Sequence, residues 1–400
     1  MKIVYLLLLC FFPSFLFSQV SVFTLENRLY EGKIIGLNND SNPFITLQTR
    51  AETKKIFCHE IVQVVYQKSD KKKVQEVCII LHDGSQIFGN VLSGDQKALV
   101  MNSFSFGEIS IDLTQIREIR LSDTLASVES KDTESDILYF KTGDVLKCLI
   151  VYLGAGYVQV QHPQLGIRKE YFAKLDRIVF AQLESPSIPK GELIAIVRGM
   201  DHSLLAGKIV KISENHLTLH VLSLNQEIKI LHSQIQHFAF RGGSFVYLSD
   251  LPADEYKAEY IPYFAGPTEP FLPKFDKNQR GGEIFLNGQS FFKGIGVISR
   301  TEITVSLQKK YRKFQSHIGI DDQIREMYKQ NPYLIGGSVS FQVYLDGQKK
   351  WDSGIIRWFD PPQSLDINVS GYKDMVLIVD FADNANANDL ANWAGALLVK

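Results

Sequence analysis

Ser338–Leu345 reads Ser-Val-Ser-Phe-Gln-Val-Tyr-Leu and is followed by Asp346-Gly347. Polar and apolar residues alternate through this stretch, and residues at every second position of a strand lie on the same face. An Asp-Gly pair between two such runs is typical of a tight hairpin turn, and Gln348–Trp351 resumes the strand pattern. The stretch therefore predicts a β-hairpin with one buried and one exposed face.

Further segments of strand character surround this hairpin. Ile303–Leu307 and Leu365–Val369 have the same period of two, and Met375–Phe381 is a near-continuous apolar run of strand length. No long stretch in this region has the helical period. We therefore expect the carboxy-terminal part of the chain to pack one β-sheet on another.

Five short motifs occur in order between Phe245 and Lys400. They lie within Tyr247–Leu251, Lys293–Val297, Phe314–Asp322, Ser338–Gly354 and Val369–Ala394. Together they resemble the NPCBM family, the carbohydrate-binding modules first noted beside family 98 glycoside hydrolases and overlapping the family 51 carbohydrate-binding modules. The resemblance implies a jelly-roll β-sandwich of the galactose-binding type, with ligands held by loops at one end.

Candidate ligand residues follow from the chemistry of sugar recognition. An aromatic ring packs on the apolar side of a sugar, while carboxylate, amide or guanidinium groups bind its hydroxyls. Trp358 stands in a loop-like setting between Arg357 and Asp360, whereas Trp351 and Trp393 lie in strand-like stretches that favour core packing. The predicted ligand-binding residues are Trp358, Arg300, Asp250, Asp389, Asn392 and Trp393.

Two acidic segments are candidates for a metal site. Asp321 and Asp322 follow an apolar run, and the resemblance places an acidic pair there; turn capping is the alternative interpretation. The loop Asp383–Asp389 is rich in the carboxylate and amide oxygens that calcium prefers, but it lacks the spacing of a helix-loop-helix calcium site. The sequence thus offers a structural calcium site at Asp321, Asp322 and Asp383 and indicates no other cofactor.

Three positions depart from the family pattern. Where many members carry His, this chain has Ile298 and Leu390, and Pro252–Asp254 stands where an aromatic residue often follows the first motif. If those groups touch sugar in relatives, this chain keeps the sandwich and has lost or changed the ligand.

The chain upstream repeats itself. Gly32, Gly89, Cys148 and Gly207 fall 57, 59 and 59 residues apart in matching apolar segments, which indicates four copies of one unit. Each copy has four or five short strand patterns and resembles, weakly, a small SH3-like or Sm-like barrel. Because Cys148 replaces a glycine, we expect the glycine to be a packing convenience and not a strict requirement of the backbone.

The predicted domains are residues 19–67, 76–122, 136–182 and 191–241 for the repeats and 245–400 for the carbohydrate-binding sandwich. The expected fold class is all-β: tandem barrel-like repeats followed by a jelly-roll sandwich.

The amino terminus indicates export. Lys2, the apolar run Ile3–Phe12 and the small Ser18 are typical of a signal peptide, removed after Ser18. The run is shorter than the roughly 20 residues of a spanning helix. We expect a secreted, periplasmic or cell-envelope protein.

Composition and missing motifs exclude several functions. A net charge of −1 provides no field for nucleic acid, and Cys58, Cys78 and Cys148 make no disulfide framework. No nucleophile elbow, zinc-protease motif or phosphate loop is present. The sequence favours a secreted, non-catalytic, glycan-binding protein. The alternative is a cell-envelope structural or protein-interaction protein that has lost sugar binding, with envelope proteins bound by the repeats.

Overall fold

The computed structural model describes residues 19–26, 28–66, 77–121, 134–181, 192–263 and 271–400. Nearly all regular structure in these ranges is antiparallel β-sheet, with one α-helix, which confirms the all-β fold class. The described residues belong to two compact units, one drawn from 1–188 and 194–238 and the other from 189–193 and 239–400. The predicted signal peptide, residues 1–18, lies outside the described residues.

The strands before residue 242 come in four groups of five, which we call repeats 1 to 4. Repeat 1 contains β1 (Val20–Thr24), β2 (Leu29–Asn38), β3 (Phe44–Gln48), β4 (Thr53–Phe57) and β5 (Ile61–Tyr66). Repeat 2 contains β6 (Val77–Leu81), β7 (Gln86–Gly94), β8 (Ala98–Ser103), β9 (Gly107–Asp112) and β10 (Ile116–Arg120). Repeat 3 contains β11 (Asp136–Phe140), β12 (Val145–Gly154), β13 (Tyr157–His162), β14 (Gly166–Tyr171) and β15 (Leu175–Val179). Repeat 4 contains β16 (Ile194–Gly199), β17 (Leu204–Ile212), β18 (His216–Val221), β19 (Gln226–Leu231) and β20 (Ile235–Arg241).

All four repeats have one topology. The first strand pairs with the second and the fifth, the second with the third, and the third with the fourth. The long second strand shifts register once in each repeat, as between Ile34 and Gly36 in β2, and such an irregularity bends a strand. Closing strands also pair between repeats, β5 with β20 and β10 with β15. The exact repeat boundaries and the resemblance to SH3-like or Sm-like barrels stay predictions.

The repeated glycine lies where two strands approach closely, and none of Gly32, Gly89 and Gly207 has a positive φ, so its role is one of packing and not of backbone conformation. A Cβ atom on Gly32, Gly89 or Gly207 would clash with a backbone carbonyl oxygen of the neighbouring strand. A backbone oxygen cannot swing away as a side chain can, so a larger residue must push the strands apart. In repeat 3, Cys148 takes this position and lines a cleft.

The second unit is formed by thirteen short strands and one helix within the described ranges. They are β21 (Phe245–Tyr247), β22 (Tyr256–Tyr260), β23 (Lys274–Phe275), β24 (Ile284–Leu286), β25 (Gln289–Phe291), β26 (Gly294–Val297), β27 (Thr301–Ser306), β28 (Lys313–Ile320), α1 (Gln323–Gln330), β29 (Ser338–Leu345), β30 (Gln348–Arg357), β31 (Gln363–Asn368), β32 (Asp374–Phe381) and β33 (Ala391–Val399).

Two main sheets make up this unit. One has the order β23-β26-β33-β28-β31, with β21 also paired to β33, and the other has the order β22-β27-β32-β29-β30. β29 and β30 form the predicted hairpin around Asp346 and Gly347, both of which have positive φ. That conformation suits the twist of a two-residue hairpin turn.

The core lies between these sheets. Alternate residues of β29, such as Phe341 and Val343, are buried as the sequence predicts. Trp393 is 1% exposed and packs edge-on against Phe341, with ring centroids 4.9 Å apart, and also against Phe314. The core role expected for Trp393 is confirmed, and Trp351 packs half-buried against the same cluster.

Candidate functional site

An aromatic cluster lies where loops meet at one end of the second unit. Trp358 follows β30 and packs on Tyr328 of α1, with ring centroids 4.6 Å apart. Phe359 meets the Trp358 ring at 81° and is 56% exposed, while Trp358 itself is half-buried. We call Trp358, Tyr328 and Phe359 the loop aromatic cluster. It leaves large apolar ring surface in contact with water, and such surface is a common feature of binding sites.

Two glycines fix the position of Trp358. A side chain on Gly336 would collide with the indole ring. The backbone N–H of Trp358 donates to the Gly337 carbonyl at 3.0 Å. The Trp358 side chain therefore lies against bare backbone, and any larger residue at position 336 would displace it.

Polar groups surround the cluster. The Arg357 guanidinium binds the Asp383 carboxylate through Nε and Nη2, both at 3.0 Å. The Asp360 carboxylate accepts the Arg357 N–H at 2.8 Å, and the Asn388 amide donates to the Ile335 carbonyl at 2.8 Å. Exposed rings beside guanidinium, carboxylate and amide groups can pack on a sugar and bind its hydroxyls.

The structure separates the six predicted ligand residues. Trp358 and Arg300 reach the surface, and the other four side chains are buried. Arg300 donates twice to Glu302, at 2.9 and 2.5 Å, and lies 3.9 Å from Asp380. No described contact brings Arg300 to the loop aromatic cluster, so its ligand role stays a prediction.

Asp250 takes part in a buried ion-pair network. Its carboxylate accepts hydrogen bonds from Arg241 at 2.6 Å and from Lys293 at 2.8 Å, and Lys293 also reaches Asp276 at 2.7 Å. Burial raises the pKa of Asp250, but the two cationic partners outweigh it and leave the pKa below its usual value. These contacts tie the β21 end of the unit to β26.

Asp389 and Asn392 are completely buried. The Asp389 carboxylate accepts the Ser338 N–H at 2.8 Å and the Ser299 hydroxyl, and burial raises the pKa of its carboxyl to about 7. The Asn392 amide donates to Asp321 at 2.8 Å. These contacts link β29 and the start of β33 to the segments that follow β26 and β28.

The three predicted metal ligands are bound by protein donors. Asp321 accepts N–H groups of Phe285 and Gln323 and the side-chain amides of Asn278 and Asn392; burial nevertheless raises its pKa. Asp322 caps the β24–β25 turn by accepting the N–H groups of Asn287 and Gly288, which is the turn-capping alternative. Asp383 pairs with Arg357 instead. No group of three or more His, Cys, Asp or Glu in the described ranges could hold a metal ion. Calcium binding stays a prediction.

Two of the three departures from the family pattern point inward. Ile298 and Leu390 are each 8% exposed and belong to the core of the sandwich. Neither position offers a polar group to a ligand.

Comparison with known proteins finds a family match within the second unit. Residues 245–399 match the NPCBM/NEW2 domain family. The family 51 carbohydrate-binding module of Clostridium perfringens GH95, solved in complex with methyl-galactose, is 27% identical and aligns over 39% of this chain and 99% of that one, with a TM-score of 0.32. The second such module of C. perfringens ZmpB, solved with its INT domains and GlcNAc, is 21% identical over 61% of this chain and 43% of that one, with a TM-score of 0.33. No curated protein matches the chain.

The NPCBM match confirms the family resemblance drawn from the five motifs, and it covers the second unit only. Four residues of this site were not predicted from the sequence: Tyr328, Phe359, Gly336 and Gly337. Phe359 directly follows Trp358, and the Gly336-Gly337 pair is visible in the sequence, so both could have been noted there. No described helix has the length and apolar character needed to cross a bilayer.

Proposed function

We propose that the NPCBM domain binds glycans at the loop aromatic cluster. The observation that carries the proposal is the partly exposed group of Trp358, Tyr328 and Phe359, held by Gly336 and flanked by Arg357 and Asp383. An aromatic surface with adjacent hydrogen-bonding groups is the arrangement that sugar rings require. The match to a carbohydrate-binding domain family supports this assignment.

We further propose that the protein is secreted or held in the cell envelope and acts without catalysis. The signal-like sequence up to Ser18 supports export. The buried carboxylates described above are engaged by protein donors, as Asp321 and Asp389 illustrate, so they are poorly placed to act as the acid and base of a glycosidase.

A glycan array probed with the full-length chain tests the binding proposal. We expect saturable binding to galactose-type glycans, which the family resemblance implies. Trp358→Ala should weaken that binding about tenfold or more, because one ring contact is worth roughly 1 kcal/mol beyond its buried area. Leu231→Ala, which removes an exposed apolar side chain from repeat 4, is the control and should leave galactoside binding unchanged.

Two outcomes oppose the proposal. Binding that is unaffected by Trp358→Ala would place the ligand elsewhere. A folded protein that binds no glycan would favour the alternative, an interaction protein whose sandwich has lost its ligand. The apolar Ile298 and Leu390 already argue against an unchanged family site.

A further inference from the structure

Repeat 3 carries a line of aromatic rings on the outer face of its sheet. Tyr157 pairs across the strands with Tyr171, and their ring centroids lie 6.5 Å apart. Tyr152 stacks on Tyr157 at 5.7 Å with the rings nearly parallel. The Lys169 ammonium lies 3.6 Å from the Tyr157 centroid and 5.3 Å from that of Tyr171. Tyr171 is 51% exposed, so an aromatic surface with a cation beside it faces solvent.

The same face continues along the strands to an amide and two apolar side chains. Gln161 pairs with Leu149 on one side and Ile167 on the other, which puts all three side chains in one cross-strand row. Ile167 is 72% exposed and Leu149 is 59% exposed. From Ile167 to Tyr171 the face spans about 13 Å along β14, which is longer than one sugar ring.

Repeat 1 reproduces this arrangement. Phe44 pairs with Phe57 at the positions equivalent to Tyr157 and Tyr171, and their centroids lie 6.0 Å apart. Lys55 lies 4.9 Å from the Phe44 centroid, as Lys169 lies over Tyr157. Gln48 stands where repeat 3 has Gln161.

Repeats 2 and 4 lack the aromatic pair at the equivalent positions. Ala98 pairs with Asp112 in repeat 2, and His216 pairs with Leu231 in repeat 4. Core packing does not explain the difference, because these side chains lie on the outer face in all four repeats. The aromatic pair is thus a property of repeats 1 and 3.

Each aromatic face ends in a cleft. The cleft beside repeat 3 has a volume of about 1030 Å³ and is lined by Leu149 and Gln161 of the face together with Leu113 and Phe180. The cleft beside repeat 1 has a volume of about 830 Å³ and includes Gln48. Volumes of this size suit an organic ligand of several rings.

The charges around these clefts indicate what the ligand is. In repeat 1 the cleft holds three carboxylates and three cations, of which Lys33 pairs with Glu214 at 2.7 Å and Lys54 with Glu52 at 3.0 Å. The repeat 3 cleft also contains groups of both signs, Asp136 and Lys147 among them. Neither lining carries a net positive charge, so neither attracts a polyanion, whereas rings and primary amides fit the apolar sides and hydroxyls of neutral sugars.

We propose that the aromatic faces of repeats 1 and 3, with their clefts, bind a neutral polysaccharide chain at a site separate from the NPCBM domain. Each face with its cleft forms one such site.

Gel retardation of the full-length protein tests this proposal. Native gels would contain xylan, mannan, arabinogalactan or β-1,3-glucan, with polygalacturonate as the anionic probe, and every protein would carry Trp358→Ala to silence the loop aromatic cluster. The double variant Phe57→Ala/Tyr171→Ala, the ring pair, removes one ring from each face. Gln48→Ala with Gln161→Ala changes only exposed amides, so it leaves the fold intact. Ser110→Ala with Leu231→Ala is the control, since both are exposed positions on the outer faces of repeats 2 and 4.

We expect at least one neutral polysaccharide to retard the Trp358→Ala protein. The ring pair of substitutions should weaken that retardation about tenfold, the amide pair should weaken it several-fold, and the control pair should leave it unchanged. The proposal is overturned if no neutral polysaccharide retards the protein, if the control pair has the same effect as the ring pair, or if only polygalacturonate binds and salt abolishes it. The proposal for the loop aromatic cluster fails by a different result, namely galactoside binding on the glycan array that Trp358→Ala does not change.

Discussion

Asp389→Asn should change how the stability of the NPCBM domain depends on pH. Asp389 has no exposed surface, and burial raises the pKa of its carboxyl from 3.8 to about 7. The folded state therefore holds this proton more tightly than the unfolded chain. As pH rises from about 4 to about 7, the unfolded chain ionises freely while the folded domain resists, so stability falls over that window and levels off above it.

The size of the effect follows from the pKa difference. About three pKa units at about 1.4 kcal/mol each give about 4 kcal/mol of stability lost between acid and neutral pH. Asn remains neutral at every pH in this window. Its amide oxygen can still accept the Ser338 N–H, and its NH₂ can donate to the Ser299 hydroxyl oxygen in place of accepting the Ser299 O–H. The variant should thus be more stable than wild type by about 1 kcal/mol near pH 4.5, where the unfolded carboxyl is already mostly ionised, and by about 4 kcal/mol near pH 8.

Tryptophan fluorescence isolates this domain, because all three tryptophans of the chain, Trp351, Trp358 and Trp393, lie in it. Urea titrations of both proteins at about pH 4.5 and about pH 8 give the two differences. The shifted groups common to both proteins, Asp250 and Asp321, cancel in the comparison. An equal difference between wild type and variant at both pH values would refute the reasoning.

Three further predictions concern other parts of the chain. Lys293→Met leaves Asp250 and Asp276 without a shared cation and should destabilise the NPCBM domain by about 3 kcal/mol. Urea titration followed by tryptophan fluorescence measures this loss, and an unchanged midpoint would contradict the ion-pair network. Gly89→Ala should destabilise the repeats by about 2 kcal/mol, because its Cβ meets the Asn102 carbonyl, whereas Gly36→Ala has open space and serves as the control; circular dichroism during thermal unfolding compares them. Cys58 and Cys148 should resist a thiol reagent at neutral pH until the protein is unfolded, because burial raises the pKa of each thiol to about 12; rapid labelling of folded protein would show that the repeats open.

Local sequence was sufficient for the strands. The alternation of Ser338–Leu345 and the Asp346-Gly347 turn predicted the β29–β30 hairpin, because side-chain period and turn conformation depend on neighbouring residues only. The five ordered motifs identified the NPCBM domain for the same reason. Trp358 was correctly expected in a loop-like setting, since it stands in the turn after β30.

Tertiary structure alone decided how the side chains are used. Asp250, Asp389 and Asn392 look like ligand groups in the sequence, yet their partners Lys293, Ser338 and Asp321 come from distant strands that only the folded sheets bring together. The partnership of Trp358 with Tyr328 depends in the same way on the packing of α1 against the β30 loop. On the repeats, Tyr157 and Tyr171 become one surface only through strand register, and a shift by one residue would turn them to opposite faces. The sequence by itself determined the strands, their order and the domain family, because those signals are local. Long-range pairing decided which polar groups hold the fold and which rings reach solvent.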